Sequence, residues 1–113
     1  MLPKENRLDL KRTFSYLKRN GRSYKSPLFV ALYRPTTGEK TQVGFVLSKK
    51  MGHAVARNRM RRILAEAFSS VWPSLPPHLE IAVVGRIQLT DKKSTDITSE
   101  VIKMGTFLTQ SLR

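Results

Sequence analysis

The sequence contains no cysteine, which removes disulfides, thiolate metal sites and thiol nucleophiles together. It has two histidines, His53 and His78, and nothing in the sequence brings them together. Its eight acids, Glu5, Asp9, Glu39, Glu66, Glu80, Asp91, Asp96 and Glu100, are spread without a paired spacing. Acid–base or metal-assisted hydrolysis by the chain alone would need a histidine pair or a carboxylate cluster on a metal, because a proton or a divalent ion must act at the bond that breaks. No catalytic residue and no metal ligand is therefore expected on this chain. His53 reads as a helix-start contact, His78 as a loop residue, and Asp91 and Asp96 as turn and cap residues. Gly38 and Gly52 each stand alone, so there is no glycine-rich phosphate loop. No apolar run approaches the roughly 18 residues of a membrane span. Nor has the start, Met1-Leu2-Pro3-Lys4-Glu5-Asn6-Arg7, an apolar stretch of signal-peptide length. The expectation is a cytosolic protein that does not engage a membrane.

What is present is positive charge. The 113 residues hold 21 Lys and Arg against 8 acids, a net charge of +13, with 40% hydrophobic residues. That apolar content suits one folded domain, here expected to span residues 1–113, and argues against the disorder that high charge with low hydrophobicity would bring. Residues 1–62 carry 16 of the Lys and Arg and only Glu5, Asp9 and Glu39 as acids, so the whole excess lies in that part. Solvated basic surfaces usually interleave acids. A one-sided block points to a polyanion, most commonly nucleic acid.

Residues 8–19 space Leu8, Leu10, Phe14 and Leu17 as an amphipathic helix that Asn20-Gly21 would stop. Leu28 to Tyr33 and Gln42 to Ser48, joined across a Pro35-to-Lys40 turn, read as an antiparallel hairpin. A helix is expected from near Gly52 or His53 to before Pro73, then a strand at Leu79 to Gly85 and a last helix from about Ser94 to Leu112. The last helix has a seam of Ile97, Val101, Met104 and Leu108, widened by Ile102 and Phe107, with Gly105 costing about 1 kcal/mol relative to Ala.

The densest cations sit on the middle helix and the residues before it. Lys49, Lys50, Arg57, Arg59, Arg61 and Arg62 occur with no acid among them. At about 100° per residue, Ala56, Met60, Ile63, Leu64, Ala67, Phe68 and Val71 fall in one stripe, and Arg57, Asn58, Arg61 and Arg62 spread over the other side. Glu66, four residues after Arg62, is expected to pair with it. Arg matches phosphate oxygens two at a time and Lys supplies a mobile point charge, so these residues form a phosphate-contacting surface. Asn58 offers both donor and acceptor, which suits a base edge or a 2′-hydroxyl. Phe14 and Tyr33 are candidates to stack an unpaired base, with a core role as the alternative for each.

Lys49-Lys50-Met51-Gly52-His53-Ala54-Val55-Ala56-Arg57-Asn58-Arg59-Met60-Arg61-Arg62-Ile63-Leu64-Ala65-Glu66 resembles the signature of the bacterial ribonuclease P protein subunit, approximately K-K-x-G-x-A-V-x-R-N-R-x-K/R-R-x-x-R-E. Leu2 to Leu8, Phe14 to Lys18 with Gly21, and Ile81 to Arg86 resemble other parts of that family, so the likeness covers essentially the whole chain. The resemblance implies an α+β fold in the order αβββαβα, whose four-stranded sheet carries a left-handed βαβ crossover. It also implies a catalytic RNA partner on which Mg2+ assists cleavage of the 5′ leader from precursor tRNA, with one protein per RNA and no cofactor bound by the protein alone.

By position, Lys49, Lys50, Arg57, Asn58, Arg59, Arg61 and Arg62 would contact the RNA subunit. Phe14, Lys18, Leu32 and Tyr33 would line or flank a groove for the single-stranded leader. Ala65 stands where the signature usually has arginine; by helix geometry it is expected near the middle of the polar face, with one phosphate contact missing or supplied by another part of the chain. The competing reading is a structural RNA-binding protein of ribosomal type, with the same electrostatics and no role in cleavage.

Overall fold

In the computed structural model, which describes residues 2–111, the elements run α1 (Leu10–Asn20), β1 (Arg22–Lys25), β2 (Phe29–Pro35), β3 (Gln42–Val46), α2 (Ala54–Ser70), β4 (Leu79–Gly85) and α3 (Ser94–Ser111). Short 3-10 turns occupy Lys4–Asn6, Lys49–Met51, Trp72–Ser74 and Ile87–Asp91. The chain is a single α+β domain with a four-stranded mixed sheet and three helices in the expected order. The expected helix end at Leu112 lies outside the described residues.

The expected antiparallel pairing of residues 28–33 with 42–48 does not form. The strand order is β1-β2-β4-β3, with β4 inserted between the two: it pairs antiparallel with β2 and parallel with β3. β4 buries Leu79, Ile81 and Val83 on one face and Ala82 on the other, and its position gives its backbone groups a partner on both sides. The tight hairpin instead joins β1 to β2, where the Ser26 amide donates to the Phe29 carbonyl at 2.8 Å. β1, Arg-Ser-Tyr-Lys, has no apolar alternation to announce it. Because β3 and β4 are parallel neighbours, the chain between them must cross over, and α2 is that crossover.

One face of the sheet makes the main core. Phe29, Ala31 and Tyr33 of β2 join Val43, Leu79, Ile81 and Val83 in one buried cluster with residues of α2 and α3. Phe68 of α2 sits with its ring 6.3 Å from that of Phe29 and 5.3 Å from that of Phe45. α3 buries the expected seam, Ile97, Val101, Met104 and Leu108. A Cβ at Gly105 would collide with the carbonyl oxygen of Ser74, so the helix approaches the Trp72–Ser74 turn too closely for any side chain there.

The other face is only partly covered. α1 lays Leu17 against Ala82 and Leu8, flanked by Leu10, Phe14 and Leu32. Leu10 comes so near the sheet that a Cβ on Gly44 would stand 2.7 Å from its Cγ. Beyond α1 the row Val30, Val84 and Val46, aligned across three strands, stays half-exposed.

Candidate nucleic-acid interface

β3 leads into the basic block through the 3-10 turn Lys49–Met51, which the buried Met51 pins to the core while Lys49 and Lys50 stay exposed. Gly52 then takes φ 126°, a conformation that L side chains rarely adopt, and redirects the chain into α2. His53 occupies the N-cap position, and no acid lies in the first turn of α2. The positive end of the helix dipole thus adds to the lysines before it instead of being offset.

On α2, Asn58, Arg59 and Arg62 are exposed, and Arg57 and Arg61 half-buried. Arg61 donates from Nη1 to Oδ1 of Asn58 at 3.1 Å, which fixes the carboxamide and leaves its NH2 group outward as a donor. The Nε of Arg57 is buried without a hydrogen-bond partner. Among the described residues the ion pairs are Arg34–Glu80 at 2.5 Å, Lys40–Glu5 at 2.9 Å and Lys103–Glu100 at 3.4 Å. None involves Lys49, Lys50, Arg57, Arg59, Arg61 or Arg62. The expected Arg62–Glu66 pair is absent; an exposed i,i+4 pair contributes only about 0.3–0.5 kcal/mol, too little to hold two flexible side chains.

Ala65 does not project from the middle of the polar face. It is 6% exposed, while Ala56, expected in the apolar stripe, is exposed. The stripe derived from periodicity is rotated from the true one because α2 is covered by the sheet on one side and by α3 on another, so the buried arc extends past Leu64 and Phe68 to Ala65. Position 65 instead floors a groove between α2, β3 and the N-terminal segment, with a cavity volume of about 700 Å3. Its buried lining includes Leu2, Leu8, Val43 and Ala65, with Leu10 and Phe45 half-buried. Arg7, Asn58, Arg61, Arg62 and Glu66 stand around it. Arg7 was not singled out from sequence, since the three segments that build this groove are distant along the chain.

The second expected site lies on the partly open sheet face. Phe14 is half-buried beside Leu32, and the Nζ of Lys18 stands 5.5 Å from the centre of the Phe14 ring. Tyr33 is not there. It is 2% exposed in the main core, because alternation along β2 sends Phe29, Ala31 and Tyr33 to one side and Val30 and Leu32 to the other. Tyr16, close to Phe14 on α1, is an exposed ring, with the Arg34 guanidinium 4.3 Å from its centre. The hydrogen bond from Arg34 to Glu80 raises the guanidinium above its ordinary pKa.

A family model described as Ribonuclease P matches residues 2–108. The chain belongs to the Ribonuclease P family. Its curated relatives in that family include ribonuclease P protein components from a Nitratiruptor species, 42% identical over 69 residues, and from Chlamydia trachomatis serovar L2, 42% identical over 76 residues. Those matches take in 61% and 66% of this chain, and 62% and 63% of the relatives' own lengths. A longer match, 30% identical over 101 residues, covers 88% of this chain and 83% of the ribonuclease P protein component of Shouchella clausii. Among solved structures, the ribonuclease P protein of Thermotoga maritima superposes with a TM-score of 0.80 at 25% identity, over 87% of this chain and 93% of that one. A Staphylococcus aureus ribonuclease P protein mutant gives 0.78 at 24% identity, over 91% and 90%, a likeness of fold.

In this Ribonuclease P family member no three His, Asp or Glu side chains lie grouped among the described residues. His78 is held in its turn, its Nδ1 2.7 Å from the Gly38 carbonyl oxygen, and His53 begins α2. Asp96 accepts from the Lys93 amide at 3.0 Å at the start of α3, a cap as expected, and Asp91 ends a 3-10 turn. The arrangement offers positive charge, one fixed carboxamide and two partly apolar concave surfaces.

Proposed function

We propose that the chain is the protein component of a ribonucleoprotein endoribonuclease that matures the 5′ end of tRNA, binding both a catalytic RNA subunit and the leader of precursor tRNA. The observation that carries this is the surface from Lys49 to Arg62, six cations without an ion pair among the described residues, on a chain of the Ribonuclease P family. Like charges held this close repel one another, and bound phosphate relieves the repulsion. Lys49, Lys50, Arg57, Arg59, Arg61 and Arg62 are assigned to phosphates of the RNA subunit, and Asn58 to a base edge or a 2′-hydroxyl.

The leader is assigned to the open sheet face, where Phe14 and Leu32 offer apolar surface and Lys18 a charge. Losing Tyr33 from this face leaves Phe14 as its aromatic ring for stacking, with the valine row beside it. Mg2+ held by the RNA would supply the activated water for phosphodiester cleavage; this chain positions the two RNAs and screens their repulsion. One protein per RNA, working in the cytoplasm, completes the reading.

Adding the purified protein to the RNA subunit and precursor tRNA at limiting Mg2+ tests it. The expected result is faster release of the 5′ leader, with no hydrolysis when the RNA subunit is omitted. Binding without stimulation would reduce the protein to a structural RNA-binding role. If about six phosphates are neutralised, log K falls against log salt with a slope of roughly −4 to −5.

A further inference from the structure

We infer that the groove over Ala65 takes the base of one unpaired nucleotide of the RNA bound along α2, with that nucleotide's phosphate held by the arginines at its mouth. This rests on the reading that α2 binds RNA, and adds a base-binding site to what is otherwise a phosphate-binding face. The volume, about 700 Å3, falls within the roughly 300–1,000 Å3 of small-molecule sites.

Its chemistry is divided. The buried lining, Leu2, Leu8, Val43 and Ala65, is apolar, and the half-buried Phe45 adds an aromatic ring. The mouth carries Arg7, Arg61 and Arg62 against the single acid Glu66. A bare phosphate would leave the apolar lining uncovered, and a wholly apolar group would leave three guanidiniums unmatched. A nucleotide satisfies both parts, because its base has apolar faces and its phosphate is anionic.

The donors are already oriented. The Nε of Arg7 is bound to the Leu2 carbonyl at 2.8 Å, which leaves its terminal nitrogens for an anion. Asn58, steadied by Arg61, keeps its NH2 group for a base edge. Arg61 and Arg62 belong at once to this mouth and to the α2 face, so the site continues the phosphate track.

Methyl NMR on the full chain, titrated with adenosine 5′-monophosphate and separately with ribose 5-phosphate, tests this directly. The nucleotide should shift the Leu8, Leu10 and Ala65 methyls saturably, whereas the abasic sugar phosphate leaves them in place. Equal shifts from both probes, or none from either, would overturn the inference. Ala65→Phe, which fills the groove, should weaken binding of the RNA subunit by about five- to tenfold at every salt concentration with the salt slope unchanged, since it removes a base contact and no phosphate contact. Unchanged affinity in a folded Ala65→Phe protein would also overturn it. Failure of these tests while the wild-type slope stays steep would leave the proposed function standing; a flat wild-type slope would remove that reading instead.

Discussion

α2 and α3 are helices of 17 and 18 residues, packed against each other over one core, and they treat charge in opposite ways. α3 carries few charges, and its one lysine, Lys103, pairs with Glu100 a turn away, while Glu100 also accepts a hydrogen bond from Ser26. Among the described residues no ion pair reaches Arg57, Arg59, Arg61 or Arg62 of α2, or Lys49 and Lys50 before it. The fold requires only the buried seam of each. The difference lies in the outward faces: that of α3 pairs its lysine within the molecule, whereas the cations of α2 have no ionic partner among the described residues.

Removing the charge from α2 should break this contrast most strongly. In a triple variant, Arg59→Ala, Arg61→Ala and Arg62→Ala, the salt slope should become shallower by about three units, and affinity for the RNA subunit should fall about 100-fold near 0.15 M salt. The buried seam is untouched, so thermal unfolding should stay close to that of the parent. Filter binding across a salt series measures the first effect and calorimetry the second. An affinity within threefold of the parent would show that these cations do not face phosphate.

Gly105→Ala is the matching test on α3, and there propensity and packing disagree in sign. Helix propensity alone predicts a gain of about 1 kcal/mol. The methyl, however, would meet the Ser74 carbonyl oxygen, and forcing extra volume into a packed contact costs about 1–3 kcal/mol. The expected outcome is a melting temperature lowered by roughly 5–10 °C, with the salt slope of RNA binding unchanged.

The helices are legible in sequence because their apolar spacing repeats locally, and the four central residues of the α3 seam follow from it, whereas Ile102 and Phe107, expected to widen that seam, are exposed. Strand pairing was not legible in that way. The interposition of β4 between β2 and β3 depends on the apolar character of a segment more than thirty residues downstream of β3, and β1 is too polar to show alternation. The same limit governed the site: cations adjacent along α2 could be found from spacing alone. Leu32 and Tyr33 must lie on opposite faces of β2, and which of them meets the open side is set by what packs on the strand, just as two neighbours of α2, the sheet and α3, widen its buried arc to Ala65. The groove needed Leu2, Val43 and Ala65 brought together from three distant segments.

Ala65→Arg sharpens the remaining point, since the two geometries for position 65 predict different results. On an exposed face, a new arginine would add a phosphate contact and steepen the salt slope by nearly one unit. From the floor of the groove, its stem must instead run along the apolar lining and its guanidinium emerge beside Arg61 and Arg62, where three cations already stand. That route fills the space a base would occupy and adds like-charge repulsion at the mouth. The expected outcome is a slope changed by less than about half a unit, with loss of the nucleotide-dependent methyl shifts at Leu8 and Leu10. A slope steeper by a full unit with those shifts intact would return position 65 to the phosphate-contacting face.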